Sequence, residues 1–154
     1  MKENLNIKKL FDESAKIILD STQLQIQIND SISLITKSLK KKNKIIIFGN
    51  GGSAADAQHM AGELIGRYLL ERNSLNAIAL TTDTSILTAL GNDYGFENIF
   101  SRQCEGLVKP GDVVFAISTS GNSKNVIKGI SKAKSLGAKI ISLTGNNTSK
   151  MKKY

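Results

Sequence analysis

Lys44-Ile45-Ile46-Ile47-Phe48-Gly49-Asn50-Gly51-Gly52-Ser53 decides the fold. Its first half is short, β-branched and apolar without alternation, the pattern of a strand buried on both faces. Its second half is a loop of glycine, amide and hydroxyl residues. A helical stretch follows from Ala54 to about Leu70. A strand, a small polar loop and a helix in that order open a βαβ unit.

The same pattern recurs downstream. Asn76-Ala77-Ile78-Ala79-Leu80 reads as a second strand and leads to Thr81-Thr82-Asp83. Asp83 or a neighbouring threonine there caps a short helix ending near Gly91. Pro110-Gly111 marks a turn before a third strand, Asp112-Val113-Val114-Phe115-Ala116-Ile117. Ser118-Thr119-Ser120-Gly121-Asn122-Ser123 is a second small polar loop, and the helix after it runs from Lys124 to Leu136, stopped by Gly137. Ala138-Lys139-Ile140-Ile141-Ser142-Leu143 is the fourth strand, followed by Thr144-Gly145-Asn146. Strands alternating with helices predict a mainly parallel sheet with helices on both faces and right-handed crossovers. Every small polar loop then lies at the C-terminal edge of the strands, where open α/β sheets bind ligands.

Upstream, Leu10, Ile17, Leu24, Ile28, Ile32, Ile35 and Leu39 recur at helical spacing. They predict one long helix, or two joined near Asp20-Ser21, with an apolar stripe for the rest of the domain or a second subunit. A coiled coil is the alternative, weakened by polar Ser14 and Ser21 in its seam. The expectation is a single domain over 1–154: a helical segment, 1–43, before an α/β core, 44–154.

Composition narrows the class. A chain of 154 residues with 40% apolar and 22% charged residues suits one globular domain with a real core. No apolar run reaches the length of a bilayer span, and the N-terminus lacks a signal-type stretch, so a cytoplasmic protein is expected. The single cysteine, Cys104, forms no internal disulfide and reads as a packed thiol. The net charge of +8 raises nucleic-acid binding, but the lysine runs at Lys40–Lys44 and Lys150–Lys153 carry no interleaved aromatics, which make up 5% of the chain. A solvated surface that draws in anionic substrates is the better reading, without nucleic acid or membrane as partners.

Both strand-to-helix loops suit a phosphate ester. Gly51 and Gly52 let the backbone approach a ligand, and Ser118, Thr119, Ser120 and Ser123 supply hydroxyl donors beside the free amides of a helix start. Taken alone, each loop is equally a tight turn with an N-cap. Neither matches a P-loop or a G-x-G-x-x-G fingerprint, which disfavours a nucleotide. On the helix after the first loop, His59 and Glu63 stand four residues apart, with Asp56 three before His59 and Arg67 four after Glu63. Such a pair provides two metal ligands, a carboxylate base beside a sugar carbon, or simply a solvated i,i+4 pair.

The stretch from Gly49 to Tyr68, together with Gly91-Asn92-Asp93-Tyr94-Gly95-Phe96, Phe100-Ser101-Arg102-Gln103 and Ile117–Ser123, resembles the bacterial phosphoheptose isomerases of the sugar isomerase (SIS) family. The likeness covers nearly the whole chain. It implies an SIS-type, flavodoxin-like sheet and interconversion of sedoheptulose 7-phosphate with D-glycero-D-manno-heptose 7-phosphate for heptose biosynthesis. By the resemblance Ser118, Thr119, Ser120 and Ser123 hold the phosphate, while Asn50, Gly51, Gly52, Asn92 and Asp93 contact the sugar. Glu63 is the base of an enediol mechanism, and His59 and Glu63 contribute to a zinc site. The resemblance also implies a homotetramer with active sites at subunit contacts. Family members continue into a further strand and a long helix carrying a glutamine and a second histidine. Here the sequence stops at Tyr154 with His59 its one histidine, which leaves an incomplete record or a truly truncated protein; the absence of a stop-like feature at Lys152-Lys153-Tyr154 favours the incomplete record. A non-catalytic SIS module that binds a protein such as a replication initiator is the alternative, and the retained His59, Glu63, Asn92 and Asp93 count against it. A sugar-phosphate-responsive repressor would need a helix-turn-helix that the segment before Lys44 is too short to hold.

Overall fold

Each of the four apolar runs becomes a strand in the computed structural model, which describes residues 6–145 and 149–154. The strands are β1 (Ile45–Phe48), β2 (Ala77–Ala79), β3 (Val113–Ile117) and β4 (Lys139–Leu143), each slightly shorter than its run. All neighbours pair in parallel in the order β2-β1-β3-β4. Ile45 lies opposite both Ala77 and Val113, and Val113 opposite Lys139. From β1 the chain steps outward to β2, then crosses back to β3 on the other side of β1. The reversal creates a crevice between β1 and β3, the place where such sheets take ligands. Asn146, expected in the loop after β4, lies outside the described residues.

The crossovers are α3 (Gly52–Ile65) between β1 and β2, α4 (Thr84–Tyr94) and α5 (Ile99–Leu107) between β2 and β3, and α6 (Lys124–Ser135) between β3 and β4. Strand side chains alternate between faces. Ile46, Phe48, Val114 and Ala116 gather with Phe100 and Cys104 of α5 and Val126, Ile130 and Ala133 of α6. Ile45, Ile47 and Val113 are equally buried on the other face. The first core is close-packed around Phe48 and Phe100, whose stacked rings lie 4.8 Å apart. Gly129 of α6 makes room for them, since a Cβ there would meet Phe48 Cζ at 2.9 Å. Cys104 is a packed thiol, as expected, and burial pushes its pKa up to about 12.

Three elements depart from the expectation. The helix expected to reach Leu70 stops at Ile65, because Gly66 ends it and Arg72 folds back onto its last carbonyls. Arg72 donates to Leu64 O at 2.9 Å and to Glu63 O at 2.7 Å, satisfying acceptors a helix end leaves open. In contrast, α4 runs past Gly91 to Tyr94 and turns at Gly95, where φ is +81°. No helix was expected at α5, whose nine residues are too few for a clear periodicity.

The N-terminal helices are two, α1 (Ile7–Asp20) and α2 (Gln25–Lys40), joined by a 3₁₀ turn over Ser21–Leu24. The chain divides into two compact units after Leu34. The last turn of α2 belongs to the α/β unit because Ser38 Oγ donates to Gly111 O at 2.9 Å, and Asn43 Nδ2 donates to the same oxygen at 3.0 Å. In the first unit no residue of α1 is buried, and Phe11, Ile18 and Ile26 are largely exposed. Among the described residues no helix is long and apolar enough to cross a membrane.

Asp112 fastens the N-terminal ends of the strands. Its carboxylate is 1% exposed as a residue and accepts from Lys44 N at 3.0 Å, Lys109 N at 2.8 Å and Lys44 Nζ at 2.6 Å. Removing one partner of such a pair strands the other charge and two amides. Asp112→Ala is expected to cost about 3 kcal/mol, measured by urea denaturation; a loss under about 1 kcal/mol would mean the clamp is no stronger than a surface pair.

Candidate active site

Gly49 follows β1 directly and is buried. A Cβ at this position would lie 2.7 Å from Ser53 Cβ and 2.8 Å from Ile117 O. The end of β1 therefore touches the end of β3 backbone to backbone, and the two polar loops leave the sheet side by side. Gly51 then takes φ +56° and ψ −122°, a conformation that side chains disfavour, and turns the chain into α3.

Both helices that start here lack a side-chain cap. Gly51 has no side chain to offer, and Ser123, the N-cap residue of α6, instead shares a 3.1 Å hydrogen bond with Ser118 Oγ. The contrast is with α4, where Asp83 Oδ1 accepts from Ile86 N at 2.9 Å, and α1, capped by Asn6. Backbone N–H groups of Gly52, Ser53, Lys124 and Asn125 have no partner among the described residues. Two positive helix ends and their open donors thus converge on the crevice, an arrangement that favours an anion. Ser118 is buried while Thr119 and Ser120 are exposed, and the loop is held by Gly121 N donating to Ser118 O at 2.9 Å.

The loops are also joined through side chains. Asn50 Nδ2 donates to Asn125 Oδ1 at 2.9 Å, and Asn125 Nδ2 donates to Asn50 Oδ1 at 2.8 Å. A cavity of about 550 Å³ opens beside them, lined by Ser123, Lys124 and Asn125 on one side and Gly95, Phe96 and Glu97 on the other. A hydrogen bond from Lys128, reinforced by its charge, lowers the Glu97 pKa. Asn92 and Asp93 stand on the last turn of α4, just before this wall. They are exposed and bond to each other, Asn92 Nδ2 to Asp93 Oδ1 at 2.8 Å, rather than to either loop.

His59 and Glu63 share one face of α3, as their spacing predicts, with Nε2 and Oε1 3.3 Å apart. Arg67 does not extend that face: it lies beyond the helix end and pairs with Glu71 at 3.4 Å. The Glu63 side chain is 41% exposed and that of His59 78%, so the described residues leave the carboxylate partly open to water. Two ligand atoms each about 2.05 Å from a tetrahedral zinc stand about 3.3 Å apart, so the pair fits two of four ligand positions. Among the described residues no cluster of three or more His, Cys, Asp or Glu residues forms a metal site.

Sequence reasoning missed Gly49 and Asn125. A glycine between a strand and two further glycines carries no mark that singles it out, and nothing local shows that Asn125, rather than Asn122, is the buried amide.

A parallel sheet with two anion-ready loops at its switch point defines an anion-binding α/β domain of a kind that known proteins share. The SIS domain profile matches residues 10–145. The phosphoheptose isomerase of Aquifex aeolicus is 60% identical over 146 residues, covering 94% of this chain and 76% of that protein. The solved phosphoheptose isomerase of Francisella tularensis superposes with a TM-score of 0.90 at 32% identity, covering 99% of this chain and 80% of that one. That of Neisseria gonorrhoeae gives 0.75 at 41% identity, covering 94% and 79%. The chain belongs to the SIS-domain phosphoheptose isomerase family.

The contact at Gly49 makes a sharp prediction. Gly49→Ala must push β1 from β3 or displace Ser53, so it is expected to destabilise by roughly 1–3 kcal/mol and to weaken phosphate binding. Calorimetry with inorganic phosphate and a thermal melt check both; a variant that melts and binds like the parent would show the contact to be slack.

Proposed function

We propose that the protein is an aldose–ketose isomerase that interconverts sedoheptulose 7-phosphate and D-glycero-D-manno-heptose 7-phosphate. The observation that carries the reading is the pair of uncapped helix starts at the switch point, with Glu63 on the same helix as one of them. The phosphate occupies the serine loop, where Ser118, Thr119, Ser120 and Ser123 stand beside the first amides of α6. The sugar extends over Asn50, Gly51 and Gly52 towards Asn92 and Asp93.

Glu63 takes a proton from C1 of the ketose, the C–H electrons form the C1=C2 bond of the enediol, and O2 gains a proton. Collapse returns a proton to C2 and removes one from O1, leaving an aldehyde at C1. Proton exchange at the oxygens needs a second acid–base group, which the resemblance places in the segment after the fourth strand. His59 and Glu63 further contribute two ligands to a zinc site, where the ion would polarise the sugar oxygens. The exposed apolar residues of the N-terminal helices suit a subunit contact, in keeping with a homotetramer that sedimentation would test. A cytoplasmic place in heptose biosynthesis for products such as lipopolysaccharide completes the reading.

The full-length protein is expected to turn over sedoheptulose 7-phosphate in a coupled assay, and folded protein without turnover would sink the proposal. Glu63→Gln should lower kcat at least about a hundredfold while sugar-phosphate affinity holds; unchanged kcat would remove Glu63 from the chemistry. Metal analysis of the purified protein should find zinc that His59→Ala diminishes, and equal metal in both proteins would exclude His59 as a ligand.

A further inference from the structure

The side chain of Asn125 has no ligand-binding role in the site as assigned above, yet it links the two loops. It stands in the first turn of α6 and is 3% exposed. Its Oδ1 accepts from the backbone N–H of Val126 at 2.9 Å as well as from Asn50 Nδ2. That backbone contact fixes which end of the amide is which. A main-chain N–H only donates, so the atom it meets is the oxygen, and the NH2 of Asn125 is left facing Asn50. Asn50 must then offer its own oxygen to that NH2 and its own NH2 to the oxygen. The orientation passes from the α6 backbone through Asn125 to Asn50 with no free rotor between them.

We propose that Asn125 is a positioning residue for sugar recognition: it locks the Asn50 carboxamide in one orientation and ties the β1 loop to the β3 loop. The inference rests on the reading of Asn50 as a sugar contact. A carboxamide has two N–H donors and two acceptor lone pairs. The reciprocal pair consumes one of each on Asn50, leaving one donor and one acceptor. A hydroxyl, which both donates and accepts, matches that remainder. A phosphate dianion, which only accepts, would use the donor and leave the acceptor unpaired. Asn125 therefore acts on recognition of the polyol part of the substrate and leaves phosphate capture to the serine loop. Burial of Asn125 makes the lock stiff, because either amide turned over would face oxygen to oxygen and NH2 to NH2 at the buried end of the pair.

The test is calorimetric titration of inorganic phosphate and of sedoheptulose 7-phosphate into the full-length protein and its Asn125→Ala, Asn125→Asp, Asn50→Ala and Asn50→Ala/Asn125→Ala variants. Asn125→Asp keeps the shape and the acceptor for Val126 but replaces the donor to Asn50 with a second acceptor. Asn125→Ala should weaken the sugar phosphate about tenfold and leave inorganic phosphate within about twofold; Asn125→Asp, whose added charge repels both anions, should weaken the sugar phosphate about tenfold more than inorganic phosphate. The double variant should bind no worse than Asn50→Ala alone, since Asn125 acts through Asn50. Equal losses for both ligands, additive losses in the double variant, or unchanged affinity would each overturn the proposal. So would loss of the folded circular-dichroism spectrum in both variants at 125, which would assign the residue to structure alone. Failure of the unmodified protein to bind sedoheptulose 7-phosphate would instead overturn the functional reading, and this inference with it.

Discussion

Backbone contact between the ends of β1 and β3 is the constraint on which the rest of the site depends. Parallel pairing sets Phe48 beside Ala116, so both chains leave the sheet at nearly the same level. With no Cβ at position 49, the end of β1 fits between Ser53 in the first turn of α3 and the carbonyl of Ile117. The two helices then begin at one crevice rather than at separate points along the edge. Their dipoles and unpaired amides add at that point, which neither loop would achieve by itself.

The two ends of the sheet treat polar groups in opposite ways. At the N-terminal end, the Asp112 carboxylate, Ser38, Asn43 and Lys44 satisfy each other or nearby backbone. At the C-terminal end, the helices that follow β1 and β3 start without a side-chain cap, as α5 does, whereas α4 is capped by Asp83 and α1 by Asn6. Saturated hydrogen bonding stabilises one edge. Open donors at the other edge carry a cost in stability that a bound anion offsets. The contrast separates a structural end from a binding end with no reference to relatives.

Glu63 shows how far one chain goes towards the chemistry. The helix aligns it with His59 and sets it on the element that rises from the first loop, yet its side chain is still partly open to water. Under the proposed mechanism the carboxylate works in a drier setting than the described residues provide. The exposed apolar side chains of α1 and α2, and of Tyr68, Leu69 and Leu70 after α3, are surface of the kind that a subunit contact covers.

Much of this was legible in residue order. Unbroken β-branched runs mark buried parallel strands because both faces of such a strand are covered, and glycine and serine after each run mark the ligand edge because bulky side chains would block it. Local chemistry alone was enough for those conclusions, and for placing His59 and Glu63 on one helix face. Helix ends were harder: α3 stops at Ile65 because Arg72, seven residues further on, folds back to satisfy its carbonyls. The reciprocal pair of Asn50 and Asn125 spans 75 residues, and the clash that requires glycine at 49 is partly with Ile117. The loops and their chemistry were thus determined by sequence, while their meeting point, the lock between them and the exposure of Glu63 were decided only by tertiary structure, because strand pairing alone sets the distance between residues so far apart in the chain.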